Sequence, residues 1–174
     1  IGLAKRHHHK VALIYLDLDD FKPINDSLGH AVGDCLLKLV ADRLSSCIRD
    51  TDTICRQGGD EFVVLLSEIE KPRDAVRIAK KILGALDAPY QIGNHELRIT
   101  ASIGISLYPD HGTDDRMLLN NADTAMYQAK NSGCNTYQLF KVGMNDMREQ
   151  RSHIESQLHQ ALKEESLFLD SNLG

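Results

Sequence analysis

Carboxylates gather at two places where a strand is about to end. Asp17, Asp19 and Asp20 close an apolar run that begins at Val11, and Asp60 and Glu61 follow the pair Gly58-Gly59. One such cluster is ordinary, because acids at strand ends are commonly solvated or cap the next helix. Two clusters offer more if their strands lie side by side, since Asp17 and Asp60 could then face each other across a sheet. Hard carboxylate oxygens from two elements, completed by phosphate oxygens, suit Mg2+ or Mn2+. Two such ions would neutralise a triphosphate and lower the barrier to displacement at phosphorus.

A second polar set lies between the clusters. Asn25 and Asp34 bracket the segment Asp26-Ser27-Leu28-Gly29-His30-Ala31-Val32-Gly33. A short polar loop between helices is usually turn chemistry. An amide and a carboxylate could also pair with the edge of guanine, which presents a carbonyl and two donors. The adjacent His7, His8 and His9 are a poorer ligand set, because neighbouring side chains diverge in helix and strand alike. They read as a solvated segment before the first strand.

These groups need a frame. Val11 to Leu18 is a continuous apolar run of strand length, as in a central buried strand. Residues 20–28 read as a short helix broken at Gly29-His30, and Gly33 to Ile48 as a helix with a Leu36, Leu37, Val40, Ala41, Leu44 face. Thr53–Gln57 and Phe62–Leu66 form a hairpin whose turn, Gly58-Gly59, can take positive φ at both positions. Pro72 to Leu86 is a helix with proline in its first turn. Tyr90–Ile92 and Leu97–Thr100 form a small hairpin around Gly93-Asn94. Ser102–Leu107 is a strand, Asp115–Asn131 a helix and Thr136–Phe140 a last strand. The alternation predicts a sheet with helices packed on its faces. From Gly143 onward Met147, Ile154, Leu158, Leu162 and Leu167 mark one amphipathic helix. Residues 1–141 thus read as one domain and 142–174 as an appended helix.

The net charge of −5 argues against a protein that coats nucleic acid. Cys35, Cys47, Cys55 and Cys134 form no C-x-x-C pair, which fits a reducing cytosol. No apolar run approaches the roughly 20 residues that span a bilayer. The chain begins without Met and stops at Gly174, so it reads as a fragment whose parent could still be membrane-anchored.

Five ordered blocks carry a family resemblance. Gly58-Gly59-Asp60-Glu61-Phe62 is the pentad that names the GGDEF family. Upstream stand Asp17-Leu18-Asp19-Asp20-Phe21-Lys22-Pro23-Ile24-Asn25-Asp26 and Gly29-His30 with Gly33-Asp34. Downstream stand Ala101-Ser102-Ile103-Gly104-Ile105-Ser106 and Ala122 through Lys130. Residues 10–140 resemble a GGDEF domain throughout. The resemblance implies an α/β (α+β) fold like nucleotidyl cyclases and polymerase palms, with a five-stranded, mostly antiparallel sheet flanked by helices, plus a small hairpin. It implies a diguanylate cyclase that joins two GTP into cyclic di-GMP in a transient homodimer. Asp17, Asp60 and the Leu18 carbonyl would hold Mg2+ or Mn2+. Asp60 or Glu61 would help activate the attacking hydroxyl. Asn25 and Asp34 would read guanine beside His30. Lys22, Lys130, the Phe21 amide and the backbone of Gly58 and Gly59 would meet the phosphates. Arg49 and Asp52 resemble the family's inhibitory product site.

The chain departs from the pattern in one loop. The family usually has Arg where Ala129-Lys130-Asn131-Ser132-Gly133-Cys134-Asn135 has Cys134. A lost bond to a charged group costs roughly 1.5–3 kcal/mol, or about ten- to a hundredfold in binding. The tail, above all Arg151 through Phe168, resembles the connector that joins GGDEF to EAL phosphodiesterase domains. It leaves open a GGDEF module that binds GTP or cyclic di-GMP and regulates an EAL neighbour.

Overall fold

Strand β1 (Lys10–Leu18) runs through the middle of the sheet with both of its faces buried. The computed structural model describes the backbone of residues 9–171 and the side chains of residues 9–161 and 163. His7 and His8 lie outside the described residues. His9 is exposed, with its Nδ1 3.5 Å from Glu68 Oε1.

After β1 come α1 (Phe21–Leu28), α2 (His30–Cys47), β2 (Thr53–Gly58), β3 (Glu61–Ile69) and α3 (Pro72–Leu86). Then follow β4 (Tyr90–Ile92), β5 (His95–Leu97), β6 (Ala101–Tyr108), α4 (Asp115–Asn131), β7 (Thr136–Leu139) and α5 (Met144–Ser171). The five-stranded sheet has the order β2-β3-β1-β6-β7; only β6 and β7 pair in parallel. β4 and β5 form a separate hairpin. The expected α/β architecture is present.

The period of two along β1 divides the core. Ala12, Ile14, Leu16 and Leu18 face a cluster with Leu36, Val40, Leu44, Ala79 and Ile82 of α2 and α3. Val11, Leu13 and Tyr15 face a smaller cluster with Leu118, Ala122 and Met126 of α4. Two layers of helices therefore enclose the sheet, and an acid following on the α4 side is drawn into the interior.

Four elements differ from the sequence reading; one is β3, which runs on to Ile69 instead of ending at Leu66. α2 starts at His30 instead of Gly33, because Gly29 alone, at φ 89°, makes the break. The supposed loop is a single residue, so His30 and Asp34 lie one turn apart on a helix. At the hairpin, Gly58 stays in β2 and only Gly59 takes positive φ, at 50°. The small hairpin closes earlier, with Ile92 opposite His95, so residues 98–100 continue past it.

The chain divides between Lys141 and Val142 into two units. The second is helix α5, in which Arg151 Nε pairs with Glu155 Oε1 at 3.1 Å, one turn on. The side chains of Leu162 and Leu167 lie outside those described.

Candidate active site

Antiparallel pairing of β1 and β3 places Asp17 opposite Glu61, and the Leu18 amide donates to the Asp60 carbonyl at 3.2 Å. The two acidic tips converge. Asp17 is 7% exposed, and burial pushes its carboxyl up to about 6. The Lys130 ammonium pulls the other way, while the charges of Asp60 and Glu61 add to the effect of burial. Lys130 Nζ lies 2.7 Å from Asp17 Oδ1. The contact is an ion pair, and this buried oxygen accepts no other hydrogen bond among the described residues. A buried carboxylate oxygen so placed fits a cation. No three acidic, His or Cys side chains converge on one point among the described residues. The candidate set has only two such side chains, Asp17 and Asp60, beside the Leu18 carbonyl, and phosphate oxygens would complete the shell. The Leu18 side chain is in the core, so only its backbone is available.

Lys130 reaches Asp17 because α4 presses closely on the sheet. A Cβ on Gly104 of β6 would stand 1.9 Å from the Ala122 carbonyl oxygen and 2.2 Å from the Met126 nitrogen. Only glycine permits this approach. Burial works against the Lys130 charge, but Asp17, Asp60 and Asp19 outweigh it and hold its pKa above the ordinary value.

Asp19 has a structural role. Its carboxylate accepts from Thr100 Oγ1 and Ser102 Oγ, both at 2.7 Å, and from the Asn135 amide at 3.1 Å. It thereby ties the end of β1 to β6 and to the loop after α4. In that loop Gly133, Cys134 and Asn135 all have positive φ. Cys134 is exposed, and burial raises its thiol pKa, which keeps it protonated. No cation stands at this position.

The nucleotide-reading candidates lie on α1 and α2. Phe21 opens α1 with its ring buried, and Asp20 provides no side-chain cap. The first-turn amides of Phe21 and Lys22 have no intrahelical partner and suit an anion. Lys22, His30 and Asp34 are exposed. Asn25 is half-buried, and its Oδ1 has no hydrogen-bond partner among the described residues. A Cβ on Gly33 would meet that oxygen at 1.7 Å, so the Asn25 amide occupies the space Gly33 leaves. Sequence reasoning named Gly33 only within a block and missed this contact; its signal was the glycine directly before Asp34.

A groove of about 540 Å3 runs beside Asp34, lined also by Lys38, Ile54, Arg56 and Phe62. Arg56, likewise missed, donates from Nε to the Gly59 carbonyl at 2.9 Å and so braces the hairpin tip. A Cβ on Gly58 or Gly59 would meet nothing within 4 Å. The backbone there is open to a ligand.

Arg49 and Asp52 stand at the other end of β2, roughly 20 Å from the tip at about 3.3 Å per residue. Asp52 accepts from the Arg49 amide and the Ser67 amide, both at 3.1 Å. Arg49 is exposed beside a pocket of about 480 Å3 that also holds Arg77, Glu68, Glu70 and Asp74. The structure thus brings Asp17, Leu18, Asp60, Glu61 and Lys130 together, sets Asn25 against Gly33, and keeps Arg49 and Asp52 apart.

Residues 1–136 match the family described as "Diguanylate cyclase, GGDEF domain". The chain is 45% identical over 169 residues to the bifunctional diguanylate cyclase/cyclic di-GMP phosphodiesterase MucR of Pseudomonas aeruginosa, covering 97% of this chain and 24% of that protein. It is 40% identical over 159 residues to the cyclic di-GMP phosphodiesterase NbdA of the same organism, covering 91% and 20%. The chain thus spans about a quarter or less of either relative. The solved GGDEF domain of P. aeruginosa TpbB superposes with a TM-score of 0.83 at 37% identity, covering 85% of this chain and 87% of that one. With its pentad on the β2–β3 tip beside Asp17 and its sheet shared with a solved relative, the chain belongs to the GGDEF family of diguanylate cyclase domains.

Proposed function

We propose that this domain condenses two GTP into cyclic di-GMP and two pyrophosphates. The observation that carries this reading is the convergence of Asp17 with Asp60 and Glu61 at the end of β1. Asp17, Asp60 and the Leu18 carbonyl would hold Mg2+ or Mn2+, which would supply charge neutralisation at the phosphates. The Phe21 amide, Lys22, Lys130 and the open backbone at Gly58-Gly59 bind the triphosphate. Asn25 and Asp34 pair with guanine, with His30 on the same side of α2.

The 3′-oxygen of one GTP attacks the α-phosphorus of the other. A P–O bond forms, the bond to the β,γ-pyrophosphate breaks, and the hydroxyl proton passes to Asp60 or Glu61. The exchange occurs twice, so two domains must face each other in a transient homodimer. Most of the rate comes from orientation and from charge placed before the reaction begins. Arg49 and Asp52 form a second site for the product. Helix α5 leads towards a further domain, of EAL type.

Incubating the purified chain with GTP and Mg2+ and separating the products tests the reading. Cyclic di-GMP is the expected product, and Asp60→Ala should remove it; product persisting in that variant would overturn the site assignment. A second reading, a GTP-binding module that regulates an EAL domain, draws on Cys134 in place of a cation and on the resemblance to NbdA. Bound GTP with no product, even with dimerisation forced, would favour it.

A further inference from the structure

Tyr15 is not among the residues the mechanism above uses. It lies two positions before Asp17 on β1 and points to the same side of the sheet. In the β1–β3 ladder Tyr15 faces Val63 while Asp17 faces Glu61. Tyr15 and Glu61 are therefore diagonal neighbours, a separation that long side chains can bridge. They do so here: the Tyr15 hydroxyl donates to Glu61 Oε2 at 3.0 Å. The ring is 7% exposed and packs in the cluster beneath α4, with Leu118, Ala122 and Met126.

This bond meets a physical need. Asp17, Asp60 and Glu61 crowd one strand end, and like charges drive such side chains apart. Glu61 sits at the first position of β3, half-buried, and its long side chain has several rotamers to choose among. A donor anchored in the core removes that choice at little entropic cost, because a tyrosine has only two χ angles and this ring is already packed. From the geometry we infer that Tyr15 is a positioning residue for the reaction, holding Glu61 by Oε2 so that Oε1 faces the attacking 3′-hydroxyl. A purely structural tyrosine would need only its ring; the bond to Glu61 gives the hydroxyl its own function.

The inference rests on the cyclase reading, and the test separates the two. Tyr15→Phe keeps the ring and deletes one oxygen. Its kcat should fall about tenfold, while KM for GTP and the thermal midpoint stay at their wild-type values. A Glu61→Asp chain is too short to reach the hydroxyl, so adding Tyr15→Phe to it should cause no further loss. Wild-type kcat in Tyr15→Phe, or losses that multiply in the double variant, would overturn the positioning role alone. A wild-type chain that makes no product would overturn the cyclase reading and this role with it.

Discussion

Lys130 Nζ lies 2.7 Å from Asp17 Oδ1, so a lysine at the end of α4 partly compensates the carboxylate that a divalent ion would take. The compensation is incomplete: burial wins over the ammonium, and the carboxyl is held at about 6. In the unfolded chain the same group titrates at its ordinary value of 3.8. Between these values the folded protein holds the proton more tightly. Stability of the metal-free domain should therefore fall as pH rises from about 4 to about 6, and this contribution is fully lost above that. Asp17→Asn cannot ionise, so its stability should lack this fall. Urea denaturation without divalent metal at pH 4.5 and 7.5 checks this; the same fall in the variant as in wild type would contradict it.

Asn25 and Gly33 make the second prediction. A methyl group on Gly33 would collide with Asn25 Oδ1, and the amide would have to swing away. Gly33→Ala should reduce selectivity for GTP over ATP by about ten- to a hundredfold, since a base edge left unpaired costs about 1–3 kcal/mol. Competition binding with both nucleotides measures it. Unchanged selectivity in a folded Gly33→Ala protein would separate this pocket from guanine reading.

Cys134 gives a gain-of-function test. It is exposed, one loop beyond Lys130. Cys134→Arg should tighten GTP binding about tenfold by adding one charge-assisted contact to the triphosphate. Titration calorimetry with a non-hydrolysable GTP analogue reads the effect. Affinity equal to that of wild type would place the loop away from the phosphates.

Arg49 is exposed beside a pocket at the far end of β2, separate from the hairpin tip. Arg49→Ala should raise the concentration of cyclic di-GMP needed for half-inhibition at least tenfold and leave the initial rate unchanged. Progress curves with added product would show it. Inhibition identical to that of wild type would count against Arg49 and Asp52 as the product site.

The sequence by itself determined the order of most elements and which acidic and glycine residues meet at the β2–β3 tip. Strong local signals account for this: the apolar run into Asp17, the Gly58-Gly59 turn, and the periodicity of Pro72–Leu86 and Asp115–Asn131, whose ends match the helices. It did not determine where α2 begins, because Gly29 alone suffices to separate α1 from α2 and the following Gly33 reads equally well as a break. Tertiary structure decided which acids do which work. Asp17 and Asp19 lie two positions apart, yet one meets Lys130 and the other is consumed by Thr100, Ser102 and Asn135. Strand alternation sets the side on which a residue lies, but not what opposes it. The partners of Asp17, Asp19, Tyr15 and Asn25 come from strand register and from how closely α4 and α2 approach their neighbours, and no local signal encodes those distances.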